Sequence, residues 1–551
     1  MAVATAVDTS VRLSDRRLCG AFLFVALGSL ALGGLASVGI AFARAPSLPF
    51  SDNPEWYYRL LTIHGLSAFY HWFLFFQAAL LMLAIGTQVK IVRSFSPALG
   101  WAGFTLMLLG LIFHLIGAFT GAETLYTAFA PLADQFARTP LIYLGFLLLA
   151  AGILLLCVNY IATVFQARRQ GLVDELPTVT YVGLMWALVM ISASAIALGI
   201  YIPAFLWSMG ATSVNPMDFM MGYMTFFHVN HYVPLVAAVG IWYVLAKYTI
   251  GAKSVFGERF SKAVFTVYPI VVPPTFLYHM FLAPGVPQST KTVGTILSLF
   301  VGVPTIIVAV VVLGMLEARV RAAGYTGAFG WLKSLPWGNP AFAGMVMGIL
   351  TFGIGGILSY ALLSEGLAEL FHGTFVVPGY FHAFTAAGVT LTFMAAAYYL
   401  VPLLTGRQLW GLGLAKLQPY LLAAGTLIFV VFGVVAGYEG VPRRVSDISY
   451  GGSAPEIWAP LMNITEIVGG LLMGAGGALF ILVIGGTLLA GRRVTDPAQV
   501  LRGLGTKELP EGARPSMTWA SAAPAVTVVA LMVVVSIISF EVISRWPFVT
   551  G

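Results

Sequence analysis

Long, uninterrupted apolar runs decide what this chain can fold into. A helix rises 1.5 Å per residue, so about 20 mostly apolar residues cross the roughly 30 Å hydrocarbon core of a bilayer. Thirteen runs reach that length, near residues 19–44, 60–90, 98–121, 140–167, 180–208, 219–248, 262–283, 292–318, 340–364, 377–404, 418–440, 462–490 and 520–543. In lipid every backbone N–H and C=O must be paired within the protein, so runs of this length are expected as helices. The expectation is an all-α polytopic membrane bundle of about 13 transmembrane helices, one domain over residues 1–551. Composition agrees, with 59% of residues hydrophobic, 9% charged and a mean hydropathy of +0.92. A soluble domain carries about 25% charged residues. So few charges cannot cover a soluble enzyme's surface, and the apolar excess excludes disorder.

The two cysteines, Cys19 and Cys157, both lie in apolar runs. That excludes a disulfide framework and a thiolate-based zinc or iron–sulfur site. The net charge of +7 is too dispersed for a nucleic-acid stripe, so no nucleic-acid partner is expected. It reads instead as the positive-inside bias, with lipid as the main surroundings. With the N-terminus inside, only Arg44, Arg59, Arg138, Lys291, Arg443, Arg444 and Arg545 fall outside, which leaves 21 of the 28 basic residues within. The predicted location is the plasma (inner) membrane, N-terminus cytoplasmic. The first run, preceded by Arg12, Arg16 and Arg17, reads as a retained span and not a cleaved signal peptide. No repeat of 20–50 residues and no inverted half-repeat is evident, which argues against a transporter.

The eight histidines carry most of the chemical information. His64, His71, His114, His228, His231, His279 and His382 fall within predicted spans, and His372 lies just before one. Ionisable side chains are costly in a bilayer and mark functional sites there. A single intramembrane imidazole is equally well explained as a hydrogen-bonded core residue. Seven of them, with few mid-span carboxylates beyond Glu466 and Glu541, point to metal or haem ligation.

Four stretches then become recognisable. The second span reads LTIHGLSAF, the tenth VPGYFHAF, and a loop after the eleventh VPRR. The eighth span and the loop beyond it read LFVGVPTIIV and FGWLKSLPWGNPAF. Over nearly its whole length the chain resembles subunit I of the haem-copper oxidase superfamily, specifically the B-type cytochrome c oxidases. The resemblance implies that His64 and His382 are the axial ligands of a low-spin haem b. Arg443 and Arg444 match the haem-propionate clamp, where guanidiniums pair with carboxylates through charge-assisted forks. His372 matches a position near the propionates of the other haem. Tyr232, Tyr243, Ser298 and Thr305 match polar positions of the B-type inner proton path.

At the binuclear site the sequence departs from that family. The family's sixth-span motif is HPxVY, whose His ligates copper and whose Tyr is cross-linked to it. Here the stretch is HVNHY, so His228 and Tyr232 keep a spacing of four on one helix face while His231 is extra. The family's seventh span carries two adjacent copper ligands. Here YHMFLAPG leaves His279, with Tyr278 in place of the first. VPGYFH puts Tyr380 where VPGHFH supplies the proximal ligand of the high-spin haem. Three readings stay open. Tyr380 holds a second haem as a phenolate, as in catalases; the second haem is lost; or a metal other than copper sits among His228, His231, His279 and Tyr278, an N/O donor set. For His71 and His114 no family counterpart is found. They lie on spans that run antiparallel and can approach each other, as a core hydrogen bond or as a metal or quinone contact.

The expected function is membrane respiratory electron transfer through a low-spin haem, of the cytochrome c oxidase subunit I type, with a divergent catalytic site. The alternatives are a nitric-oxide-reductase-like enzyme and a non-catalytic haem b electron-transfer subunit of a larger complex. The sequence has neither a copper-binding subunit II domain nor a CxxCH haem site. A separate electron-donating subunit, subunit II-like or a cytochrome, is therefore expected, with a small donor such as cytochrome c or quinol.

Overall fold

The structure is a computed structural model. It describes residues 13–48, 54–88, 96–124, 133, 138–274, 287–360, 365–494, 499, 503–505 and 509. Among these, 11 helices are long and apolar enough to cross a membrane, and the protein is a multi-pass membrane bundle. The spans are α1 (Leu13–Arg44), α2 (Pro54–Met82), α3 (Pro97–Phe119), α4 (Thr139–Arg169), α5 (Thr178–Ser208) and α6 (Pro216–Ile250). After a shorter α7 (Gly257–Thr266) come α8 (Gln288–Ala322), α9 (Pro340–Tyr360), α10 (Val376–Thr405), α11 (Leu412–Tyr438) and α12 (Trp458–Ala490). The seventh apolar run is broken. α7 ends at Thr266, and a four-residue turn follows from Tyr268 to Val271. Pro269, Pro273 and Pro274 explain the break, since each lacks an N–H and restricts the residue before it. The rest of that run, with Tyr278 and His279, and the run at 520–543 lie outside the described residues.

Local chemistry sets the helix ends. The Ser96 hydroxyl accepts from Leu99 N at 3.2 Å, with Pro97 as the first helical residue of α3. Asn215 accepts from Met217 N at 2.9 Å to start α6, which ends on Gly251 at φ 72°. Between spans, small residues replace the hydrophobic drive that lipid removes. Gly103 and Gly110 of α3 meet Gly152 and Gly145 of α4, and the two backbones come almost into contact. Longer-range hydrogen bonds fix α10 at the centre of the bundle. Trp72 of α2 donates to Thr390 at 3.2 Å, and Trp242 of α6 donates to Thr392 at 3.0 Å.

Three spans contain a π-helical turn: Gly65–His71 in α2, Ala383–Thr390 in α10 and Ile464–Gly470 in α12. Such turns occur mostly as single insertions at functional sites. Here the first two begin one residue after His64 and His382.

The glycine contacts make a differential stability test. A Cβ on Gly152 would lie 2.6 Å from Gly103 O, whereas one on Gly20 meets nothing within 4 Å. Gly152→Ala should cost about 1–3 kcal/mol through overpacking. Gly20→Ala should be neutral or stabilising by up to about 1 kcal/mol through helix propensity. Thermal melting of both variants in detergent checks the pair.

Candidate functional site

His64 of α2 and His382 of α10 face each other inside the bundle. Their ring centroids are 6.3 Å apart and their planes differ by 7°. Two imidazoles each about 2.0–2.1 Å from one metal, with about 1 Å more from each nitrogen to its centroid, put the centroids roughly 6 Å apart. Both rings are held through the same atom. His64 Nδ1–H donates to Gly33 O at 2.9 Å, and His382 Nδ1–H donates to Pro378 O at 2.7 Å. Nε2 therefore carries the lone pair in each ring, which is the state a metal ligand needs. Gly33 allows the first of these bonds. A Cβ there would lie 2.8 Å from Ala68 N and Cβ, so glycine lets α1 come close enough to α2 for its carbonyl to reach His64. Phe429 of α11 packs on His382, with centroids 4.5 Å apart. Both rings are only half-buried although they lie deep in the bundle, so they border an internal space. These residues fit a haem held through two imidazoles.

The arginine pair lies on a loop tied down from two sides. Phe375 N donates to Val441 O at 2.8 Å, and Arg443 N donates to Gly373 O at 3.1 Å. Arg44, at the end of α1 and 3% exposed, donates to Pro442 O at 2.9 Å and also to Val445 O. Its guanidinium lies over the Phe375 ring, 5.3 Å from the centroid. Arg444 takes φ 60°, a left-handed conformation uncommon outside glycine. Just beyond, Asp447 accepts from Ser449 Oγ at 2.7 Å, Ser449 N at 2.8 Å and Gly451 N at 2.7 Å, which closes the turn and holds its carboxyl below the usual range. The Arg443 N–H bond to Gly373 O ties the arginine loop to the residue that follows His372, one of the three predicted propionate residues. Burial first, then the Arg443 and Arg444 guanidiniums, hold His372 down to about 3. Arg44 was legible in the sequence only as a charge at the predicted outer end.

The second predicted site is enclosed differently. Tyr380 is 4% exposed, His228 1% and His231 6%. His228 Nδ1–H donates to Met224 O at 2.5 Å. His231 lies edge-on to Phe381 at 4.7 Å and stacks on Tyr232 at 5.2 Å, and Tyr380 meets Phe384 at 6.3 Å. Among the described residues no three His, Cys, Asp or Glu side chains converge as a metal site. Tyr278 and His279, the other predicted members, lie outside the described residues.

Of the predicted inner path, Tyr243 donates to Ser261 Oγ at 3.1 Å, and Thr305 shares a 2.8 Å hydrogen bond with Tyr268. Ser261 and Tyr268 had no sequence signal, since both come from the broken α7 region. The Ser298 side chain lies outside the description. His71 Nε2 and His114 Nδ1 are 2.9 Å apart, both rings at 0% exposure, which is the core hydrogen bond expected of them.

The family described as cytochrome c and quinol oxidase polypeptide I matches residues 17–472. Cytochrome c oxidase subunit 1 of Thermus thermophilus is 31% identical over 82% of this chain and 79% of its own. The "Heme-copper oxidase subunit I+III" of Aeropyrum pernix is 25% identical over 85% of this chain and 56% of its own. A heme-copper terminal oxidase dimer solved by cryo-EM shares the fold, with a TM-score of 0.80 at 22% identity, over 98% of this chain and 93% of that one.

The His372 environment predicts a pH dependence with a definite sign. Its folded value is about 3 against an ordinary 6.5, so between these the unfolded chain binds a proton that the folded chain does not. This residue therefore has no effect above about pH 6.5 and costs stability progressively as pH falls toward 3. His372→Asn should lose less melting temperature than the parent between pH 7 and pH 4.5.

Proposed function

The chain belongs to the cytochrome c and quinol oxidase polypeptide I family, and we propose that it serves there as a membrane electron carrier built on one low-spin haem b between His64 and His382. The observation that carries this reading is the parallel imidazole pair, each ring oriented by a backbone carbonyl. A haem in this position supplies one-electron transfer. The carbonyl bonds from Gly33 and Pro378 make both imidazoles better donors and fix their planes. Arg443 and Arg444 would neutralise the propionates of such a haem, and Arg44 holds their loop through Pro442 and Val445. The location that fits is the plasma membrane with the N-terminus cytoplasmic, so that the arginine pair lies on the outer side. There a separate subunit would deliver electrons from cytochrome c or quinol.

The divergent second site favours the reading in which the high-spin haem has been lost. His64 and His382 are half-buried around an internal space, whereas Tyr380, His228 and His231 are buried, Tyr380 against Phe384, His228 against Phe227 and His231 against Phe381 and Tyr232. Tyr380 is a hard anionic donor only once it loses its proton. The chain then passes electrons to a partner and does not itself reduce oxygen. Copper is correspondingly absent or weakly held.

Haem counting by the pyridine haemochrome assay should give one haem b per purified chain. Either His64→Ala or His382→Ala should abolish the low-spin optical bands. Unchanged bands in both variants would contradict the ligand assignment. Two haems with brisk oxygen consumption in the parent protein would contradict the loss of the second site. Tyr380→His is expected to leave the low-spin bands in place, because residues two apart on a helix point about 200° apart.

A further inference from the structure

Buried polar atoms that find no partner in the protein are where internal water is held. Among the described residues, buried side-chain nitrogens and oxygens without a hydrogen bond fall on α1, α2, α5 and α6 and on no other span. Six of them belong to one region: Ser67 Oγ, Tyr70 OH and His71 Nδ1 of α2, Tyr201 OH of α5, and Asn230 Oδ1 and His231 Nε2 of α6. Phe146 and Phe226, with centroids 5.7 Å apart, form the hub between them. Tyr70 lies 5.0 Å from Phe146 and 6.0 Å from Phe226, and Tyr201 lies 4.7 Å and 5.6 Å from the same two rings. The Asn230 amide donates to Phe226 O at 2.9 Å. Phe69, next to Tyr70 in sequence, lies 6.3 Å from His231.

The polarity of this region follows from the histidine pair. His114 Nε2 faces Ile142 O at 3.1 Å, and a carbonyl can only accept, so that nitrogen carries the proton. In the neutral ring His114 Nδ1 is then an acceptor, which His71 Nε2–H satisfies at 2.9 Å. His71 Nδ1 is left as a buried lone pair with no donor. The packing admits this arrangement specifically, because a Cβ on Gly145 would lie 2.2 Å from His114 Cδ2. Bare acceptors at His71 and Asn230 thus stand among the unpaired hydroxyls of Ser67, Tyr70 and Tyr201. Such a set is satisfied by water bridging between its members.

We propose that α2, α5 and α6 enclose an internal file of water that enters from the predicted outer end past Tyr223 and Tyr201 and ends at Asn230 and His231. The entrance is marked by Tyr223, half-buried, whose hydroxyl donates to Thr124 O in the loop after α3 at 3.4 Å. The Phe219 ring links it to Tyr201, with centroids 6.3 Å from Tyr223 and 6.1 Å from Tyr201. The file gives the sixth-span histidines aqueous access from the side opposite to the hydroxyls of Tyr243, Ser261, Tyr268 and Thr305. It depends on no bound group.

X-ray radiolytic hydroxyl labelling, read residue by residue by mass spectrometry, detects side chains that touch bound water. Tyr160 and Tyr398 are internal controls, being buried with their hydroxyls donated to Thr180 O and Gln418 Oε1, each at 2.9 Å. Tyr70 and Tyr201 should label about tenfold faster than those two if water lies against them. In a brief pulse of ¹⁸O-water, Tyr201→Phe should slow isotope entry at Tyr70 and His231 several-fold. Tyr223→Phe, nearer the surface, gives the same readout should the first variant fold poorly. Labelling of Tyr70 and Tyr201 as slow as that of Tyr160 and Tyr398 would overturn the water file. Isotope entry unchanged in both variants would overturn its outer entrance.

Discussion

Two backbone carbonyls, Gly33 O and Pro378 O, fix the planes of His64 and His382, and much of the bundle is arranged so that they can. The first requires α1 to press against α2 at a residue without a side chain. The second is an i to i−4 bond within α10, made just before that helix widens into its π turn. Trp72 and Trp242 then tie α2 and α6 to α10 below the pair, through Thr390 and Thr392. With both Nδ1 protons committed, each Nε2 has no other role than to face the space between the rings. The chemistry of the site is thus set by main-chain position, and side-chain identity matters most at the two histidines and the glycine.

The same economy operates at the predicted outer end. A single buried arginine, Arg44, satisfies the carbonyls of Pro442 and Val445 and so positions two further cations that would otherwise repel one another on a free loop. The cost of burying cationic charge there is visible in His372, which burial first, and then the Arg443 and Arg444 guanidiniums, hold below the ordinary histidine range. An anion-bearing ligand lowers that cost by supplying the missing negative charge. This is a physical reason for the arginine cluster and the imidazole pair to occur together.

Much of this was readable from residues alone, and the exceptions have identifiable causes. Apolar run length carries the spans because lipid demands internally paired backbone, and the motifs around His64 and His382 single out the two imidazoles that face each other. Proline placement at 269, 273 and 274 could have warned of the broken seventh helix, but run length outweighed it. The π turns left no trace, since one extra residue per turn does not alter an all-apolar pattern. Arg44, Ser261 and Tyr268 were invisible as site residues because their partners are distant in the chain and are mostly backbone carbonyls or single hydroxyls. The histidine pair His71–His114 was readable as a contact, yet its polarity depends on Ile142 O, which no side-chain pattern encodes.

The central claim, one iron held by two parallel imidazoles, is tested most directly by electron paramagnetic resonance of the ferric protein as purified. Ring planes only 7° apart lift the degeneracy of the iron d orbitals, so the account predicts a rhombic low-spin signal that integrates to one spin per chain. A high-spin axial signal of equal intensity, or a low-spin signal of the strongly anisotropic type that perpendicular imidazoles produce, would contradict it.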